Sequence, residues 1–331
     1  MADCPEVDPA SPLQFVINGA AGSSDADTKR EMIEAALRTG DRRGELLFGR
    51  PAELARVAQE AATKAIATRT AVVAVGGDGT LNTVAQVAHA VGCAMGVVPH
   101  GTFNYFARAH GIPADPAEAV RVLLDWTPLP VRVAAVNDRV FLVNASLGLY
   151  PDLLEDREAY KARFGRSRLV ALGAAFATLL RAQRRLRLHI ELGTAVRDVR
   201  TLTLFVGNNR LQLEQLGVQP PGQESGSEPA PDDARITAVM LRPIGVLAMI
   251  GLMVRGAMGT LGEAESVESF EFSHMVVRPT LAPGRRMMKV ACDGEVTKMR
   301  APLDFHVLAE PLYLLMPPPE SMVVGVDAKG K

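Results

Sequence analysis

Short apolar runs alternate with stretches whose apolar residues recur every three or four positions. Residues 13–17 form the first run. It is rich in β-branched and aromatic residues, and it ends in the polar turn Asn18-Gly19-Ala20-Ala21-Gly22-Ser23-Ser24. A helical pattern follows over 27–37, with Met32, Ile33, Ala36 and Leu37 on one face. Residues 45–48 predict a short strand, and 51–66 a helix opened by proline in its first turn. Runs at 71–75 and 94–98 lack any polar alternation, which suits strands buried on both faces. Helices are expected at 103–110, stopped by Gly111-Ile112-Pro113, and at 116–126. Strand and helix in regular alternation predict an α/β domain on a parallel sheet.

From residue 129 the pattern changes. Strands are expected at 131–136 and 139–145, joined by a tight turn at Asn137-Asp138, and then at 186–192, 199–206, 235–241, 267–272, 287–292 and 303–308. Helices near 168–185 and 244–261 interrupt them. Residues 216–232 form a solvated loop rich in Pro, Gly and Ser. The division expected is an α/β domain at 1–128, a β-rich domain at 129–316 and a tail at 317–331.

Composition narrows the class. The chain has 331 residues, enough for two cores, with 48% hydrophobic and 22% charged residues, as in folded proteins. A net charge of −1 gives no overall attraction to nucleic acid. The cysteines Cys4, Cys93 and Cys292 have no metal-ligand spacing and suit a reducing compartment such as the cytoplasm. The start MADCPEVDPASP lacks the basic and apolar regions of a signal peptide. The apolar stretch at 169–180 is too short to span a membrane, and that at 244–261 is broken by Arg255 and glycines. Arginines cluster around the helix expected at 168–185. Two readings stay open for it: contact with the inner, anionic face of a membrane, or an ordinary amphipathic helix with a solvated basic edge.

The candidate chemistry lies between residues 71 and 104. The strand at 71–75 breaks into Gly76-Gly77-Asp78-Gly79-Thr80, and a helical pattern follows through Leu81, Val84, Ala85 and Ala88. Strand, glycine turn and helix bring backbone N–H groups and a positive dipole end to one place, which suits phosphate. The strand at 94–98 ends in a second turn, Pro99-His100-Gly101-Thr102. If the two strands are neighbours, the two turns make one crevice. Such turns are common, and two familiar templates fail: G-x-x-x-x-G-K-[ST] is absent, and Asn82 stands at the third glycine of G-x-G-x-x-G. Asp78 sharpens the reading. A carboxylate among phosphate-binding amides repels phosphate unless it holds a metal ion or accepts a proton.

Taken together, Gly76-Gly77-Asp78-Gly79-Thr80, the run G-V-V-P-H-G-T-F-N-Y-F-A-R from Gly96 to Arg108, Gly111-Ile112-Pro113 and Asp293-Gly294-Glu295 resemble the lipid kinases. These are the diacylglycerol, sphingosine and ceramide kinases and their bacterial relatives. The resemblance implies a two-domain architecture: an α/β nucleotide-binding domain, a sandwich-like β-rich domain and an active site between them. It implies ATP and Mg²⁺ as cofactors and a membrane lipid as acceptor. Asn18, Gly19 and Gly22 match a nucleotide-contacting turn. Gly76, Gly77, Gly79 and Thr80, with Asp78, match the phosphate-binding turn, and Thr102 and Asn104 match the second turn. Glu295, with Asp293 beside it, matches the proton acceptor of bacterial relatives, whereas sphingosine kinases give that role to the position of Asp78. From spacing alone Asp293-Gly294-Glu295 reads as a hairpin turn. Asp233 matches a structural metal ligand of some members.

The chain also departs from the bacterial pattern. Gly19 replaces a proline, Tyr105 and Arg132 stand where carboxylates are usual, and Ala234 replaces a glycine. The acceptor is therefore expected to be diacylglycerol-like or of ceramide or sphingoid type. A kinase of a soluble substrate such as NAD, which shares the Gly-Gly-Asp-Gly-Thr turn, is one alternative. A nucleotide- or lipid-binding protein without catalysis is another. The oligomeric state is not encoded in these motifs.

Overall fold

The computed structural model describes residues 4–19, 23–149, 151, 186–215, 235–245, 251 and 266–316. Gly22, Asp233, the arginine-rich helix expected at 168–185, the loop at 216–232, the tail after 316 and most of the helix expected at 244–261 lie outside the described residues. The chain divides into two units. One comprises the described residues up to Val133 together with those from Leu308 onward, and the other runs from Ala134 to Val307.

The first unit is an α/β layer structure. Its strands are β1 (Leu13–Asn18), β2 (Gly44–Gly49), β3 (Val72–Gly76), β4 (Met95–Pro99), β5 (Thr127–Val131) and β18 (Leu312–Met316). They form one sheet in the order β2-β1-β3-β4-β18-β5. The β1, β2, β3, β4 and β18 pairings are parallel, and β5 closes the edge antiparallel to β18. Residues 72–76 and 95–99 are buried at every position, as expected of central strands covered on both faces. Between the strands run α1 (Ser23–Thr39), α2 (Leu54–Ala67), α3 (Asp78–Val91), α4 (Tyr105–Ala109) and α5 (Pro116–Leu123). On α2 the buried residues Leu54, Val57, Ala58, Ala61, Ala62 and Ala65 repeat every three or four positions, and this stripe packs on β1 and α3. Gly92 takes φ +72° and ends α3.

The second unit is built from two six-stranded sheets, each antiparallel throughout. One has the order β10-β9-β14-β17-β6-β7, from Ala195–Thr201, Leu186–Leu192, His274–Pro279, Leu303–Val307, Ala134–Val136 and Arg139–Phe141. The other has the order β13-β12-β11-β8-β15-β16, from Val267–Phe272, Ile236–Leu241, Thr203–Gly207, Asn144–Gly148, Met287–Cys292 and Glu295–Arg300. Their inner faces share one apolar core. Phe141, Ile190, Val277 and Phe305 come from the first sheet, and Leu147, Val206, Ala238 and Val290 from the second.

The structure corrects several expected elements. The run expected at 131–136 is cut at Arg132-Val133: β5 stays with the first unit and β6 begins the second. The strand expected at 139–145 is two strands in different sheets, separated at Leu142-Val143. The strand expected at 199–206 is likewise divided at Leu202 between β10 and β11. Residues 312–316, placed by the sequence reading in the second domain, pair with β4 and β5 in the first sheet. Alternation of side chains continues through a strand that changes sheet, so periodicity alone does not mark the change.

Candidate active site

In the sheet order of the first unit, β1 lies between β2 and β3. The chain thus leaves β1 toward one edge and continues from β3 toward the other. Loops at the C-terminal ends of β1 and β3 splay apart at such a reversal, and an open α/β sheet receives its ligand there. The residues at those ends are Asn18 and Gly76.

The two glycine turns lie side by side, because β3 and β4 pair in parallel with Gly76 opposite Pro99. The His100 N–H donates to the Gly76 carbonyl at 2.8 Å. A Cβ on Gly101 would stand 2.7 Å from the Cα of Gly77 and 2.8 Å from Asn104 Oδ1. Only glycine permits this approach. Gly101→Ala is therefore expected to lower stability by about 1–3 kcal/mol, because one of the two backbones must move. Thermal unfolding together with an ATP titration checks it: an unchanged melting temperature with unchanged affinity would show that the turns yield freely.

Asn104 shapes the second turn. It adopts φ 48°, ψ 43°, a left-handed conformation that asparagine tolerates better than most residues. Its Oδ1 accepts the Gly101 N–H and its Nδ2 donates to the Gly101 carbonyl, both at 3.0 Å. The side chain thus closes the turn on itself. Thr102 is exposed on that turn, as is Phe103, whose ring stacks on Tyr105 at 5.5 Å.

Asp78 begins α3, where the first-turn amides have no partner within the helix and the dipole is positive. Burial lifts its carboxyl above the ordinary aspartate range. Hydrogen bonds from the backbone N–H groups of Phe106, Tyr105 and Asn104 offset this in part. The Oδ1 atom of Asp78 is buried and has no hydrogen-bond partner among the described residues. Such an oxygen is suited to a cation or to a proton. Gly77 caps the helix in an extended conformation, and a Cβ on Gly76 would meet the Thr80 side chain at 2.6 Å. Thr80 Oγ1 accepts from Asn18 Nδ2 at 3.1 Å, which ties the β1 end to the phosphate-type turn. The Gly19 N–H donates to the Gly49 carbonyl at 3.0 Å.

One residue at this site escaped the sequence reading. Lys29 is buried at 5% exposure, and its Nζ donates to the Asn18 carbonyl at 3.2 Å. The signal for it was present. Lys29 precedes Ile33 by four and Ala36 by seven residues, so a cation stands on the apolar stripe of α1.

The Asp293-Gly294-Glu295 motif belongs to the second unit. Cys292 pairs with Glu295 in the β15–β16 register, so Asp293-Gly294 is the two-residue loop of a hairpin. Both residues have positive φ, 47° and 87°, as a type I′ turn requires. Asp293 is buried, and its carboxylate is engaged by the backbone. Oδ2 accepts the Leu142 N–H at 2.8 Å, and Oδ1 accepts those of Val143 and Asn144, each at 2.9 Å. These are the residues at which the chain passes between the two sheets. Glu295 is half exposed and ion-paired with Arg139, Oε2 to Nη2, at 3.0 Å. The hairpin reading of the motif therefore describes Asp293, while Glu295 keeps a reachable carboxylate. No group of three or more His, Cys, Asp or Glu residues placed to hold a metal ion occurs among the described residues. No helix among them is long and apolar enough to cross a membrane.

Residues 12–136 match the model of the diacylglycerol kinase catalytic domain. A protein of Serratia proteamaculans (strain 568) named probable lipid kinase YegS-like is 31% identical over 164 residues, 47% of this chain and 52% of that protein. A protein of the same name from Pseudomonas aeruginosa (strain UCBPP-PA14) is 45% identical over 95 residues, 28% of this chain and 30% of its own. The chain thus spans about half the length of the first relative and less than a third of the second. A crystal structure of a diacylglycerol kinase from Bacillus anthracis str. Sterne superposes with a TM-score of 0.63 at 18% identity, covering 93% of this chain and 97% of that one. A second structure from that organism gives a TM-score of 0.67 at 20% identity over the same shares. At such identities the structures show a shared fold. The likeness to the lipid kinases carried by the motifs is borne out by the family match and by the names of these relatives.

Proposed function

We propose that this chain, whose residues 12–136 match a diacylglycerol kinase catalytic domain, is an ATP-dependent lipid kinase. It transfers the γ-phosphate of ATP to a hydroxyl of a membrane lipid, diacylglycerol-like or of ceramide or sphingoid type. The observation that carries this reading is the pair of apposed glycine turns at the ends of β3 and β4, with the buried Oδ1 of Asp78 at their edge. The turns offer backbone N–H groups and the positive end of α3 to the phosphates. Asn18 and Thr80 border them from the β1 side.

In the transfer, the lipid oxygen forms a bond to the γ-phosphorus as the bond from that phosphorus to the ADP oxygen breaks. The hydroxyl proton passes to a carboxylate. Asp78 and Glu295 are the rivals for this task. Their surroundings favour Asp78, whose carboxyl is raised by burial. Glu295 is half exposed and held in an ion pair by Arg139. Asp78 is the carboxylate of the turn that would hold Mg²⁺ arriving with ATP, and the ion would neutralise charge on the phosphates. As metal partner or as proton acceptor, Asp78 acts through the same buried oxygen. Asp293 positions the hairpin that presents Glu295. The lipid acceptor implies work at a membrane surface by a cytoplasmic, peripherally attached protein.

The test is transfer of labelled phosphate from ATP–Mg²⁺ to detergent-dispersed diacylglycerol, ceramide, sphingosine, monoacylglycerol and phosphatidylglycerol. One labelled lipid is expected, absent with Asp78→Asn. ATP binding without any labelled lipid would replace this reading by a soluble acceptor such as NAD, or by a binding role. Tyr105 and Arg132, which stand in place of carboxylates, give the binding role its motive.

A further inference from the structure

The chain is close to neutral, with a net charge of −1, yet one end of the second unit gathers cations. At that end β9 and β15 begin, and β10, β14 and β16 stop. Arg187, Arg200, Arg285, Arg286, Lys298 and Arg300 are all exposed there. Backbone hydrogen bonds join them into one surface. The Thr280 N–H donates to the Arg187 carbonyl at 2.8 Å, and the Ala301 N–H to the Arg286 carbonyl at 2.9 Å. The loop at 280–286 thus links the start of β9 to the end of β16.

The strand pairing sets like charges side by side. Arg187 lies directly opposite Arg200, and Lys289 directly opposite Lys298. Such pairs cost stability, so folding alone does not select them. The acids within 285–300 are engaged elsewhere. Asp293 is buried under three backbone N–H groups, and Glu295 is paired with Arg139. Asp138 is an exposed acid near this surface, next to the Asn137 whose Nδ2 donates to the Arg300 carbonyl at 3.3 Å.

Apolar surface accompanies the charge. Met287, directly opposite Arg300, is 49% exposed. A hollow of about 350 Å³ adjoins the loop, lined by Leu186, Arg187, Pro279, Thr280, Leu281 and Ala282. A nucleic acid would use the cations alone. A lipid bilayer uses both features: its anionic headgroups attract the arginines, and the boundary beneath them accepts a methionine.

We propose that this end of the second unit docks on the anionic surface of a lipid bilayer. The choice of partner rests on the lipid-kinase reading above. The test is flotation of the full chain with vesicles of phosphatidylcholine alone and of equimolar phosphatidylcholine and phosphatidylglycerol. Two variants alter the surface: Arg285→Glu with Arg286→Glu, and Met287→Ser. The control is Arg38→Glu with Arg56→Glu, an equal change of charge at exposed positions of the first unit. Each protein is also assayed for phosphate transfer to diacylglycerol and ceramide, in detergent and in vesicles.

The wild type is expected to float with the anionic vesicles and not with the neutral ones, and less so as salt rises. Reversal at 285 and 286 is expected to weaken this binding by about tenfold or more, Met287→Ser by a smaller factor and the control not at all. Transfer in detergent should stay at the wild-type level, while transfer in vesicles falls with binding. Failure of the wild type to bind anionic vesicles, or equal losses in both double reversals, would overturn the surface. Wild-type binding to a DNA duplex without binding to vesicles would overturn it too. Vesicle binding that depends on Arg285 and Arg286, with no transfer to any lipid, would support the surface and overturn the kinase reading.

Discussion

Asp78→Asn is expected to lower phosphoryl transfer to lipid by about a thousandfold or more, while the folded protein becomes no less stable. The two effects share one cause. Asn keeps the shape of the side chain and can still accept from the amides of residues 104–106, but it can neither take a proton nor carry charge to a metal ion. Burial raises the Asp78 carboxyl in the folded chain, so the folded state binds its proton more tightly than the unfolded state. On account of this group, stability is highest below the unfolded value. It falls as pH rises through the unfolded and then the folded value, and is level beyond. Asparagine removes that loss. At neutral pH the variant should therefore melt at the same or a higher temperature and yet transfer almost nothing. In the wild type the acid limb of the rate profile should lie above the range of an ordinary aspartate. Parallel pH–rate and pH–melting series check both. An inactive variant that is also much less stable would mean that Asp78 serves structure.

Asp293→Ala should act in the opposite sense, with an unfolding free energy lower by about 3–5 kcal/mol and correspondingly lower yield. Three backbone N–H groups end on this one carboxylate. They belong to Leu142, Val143 and Asn144, where β7 in one sheet gives way to β8 in the other. Backbone donors at such a crossing have no ladder to join, and the aspartate stands in for the missing strand. Alanine leaves all three without an acceptor. Asp293→Asn should lose less, since one oxygen remains, though its NH₂ must face a donor. Urea unfolding of both variants checks the order Ala below Asn below wild type. Full stability in Asp293→Ala, with turnover lost, would instead make this carboxylate a direct participant in the reaction.

The parts of the molecule that could be read from the chain are those whose cause is local. Val72–Gly76 and Met95–Pro99 are buried on both faces, and an unbroken apolar run says so. Gly101 is needed because its backbone nearly touches that of Gly77, and Gly76 because the Thr80 side chain stands over it; the spacing of glycines after each strand revealed the turns. What escaped depends on partners far away. Leu142 is apolar like its neighbours, and Leu202 continues the alternation of Thr201, Leu202, Thr203 and Leu204, so nothing in the pattern marks them as places where a strand changes sheet. The register that sets Asp293 beneath residues 142–144 is a long-range fact, and Asp-Gly alone suggested only a turn. Lys29 stayed hidden because a single polar residue within a helical period is usually tolerated without purpose.

The placement of β18 makes the first sheet a structure interrupted in sequence. Leu312–Met316 separates β4 from β5, although about 180 residues divide it from β5 along the chain. During synthesis from the N-terminus, the glycine turns can be made while the slot beside Met95 is still empty. The intervening unit, with pairings internal to itself, is free to form before the strand that fills that slot has left the ribosome. A fragment ending at residue 136, where the family match stops, would carry every residue of the proposed phosphate site yet leave β4 with a raw apolar edge open to other chains. Such a fragment is a poor reagent for biochemistry. A circular permutant that starts at Leu308 and reaches β1 early would close the sheet first, and its refolding rate would report how long the native order leaves that edge exposed.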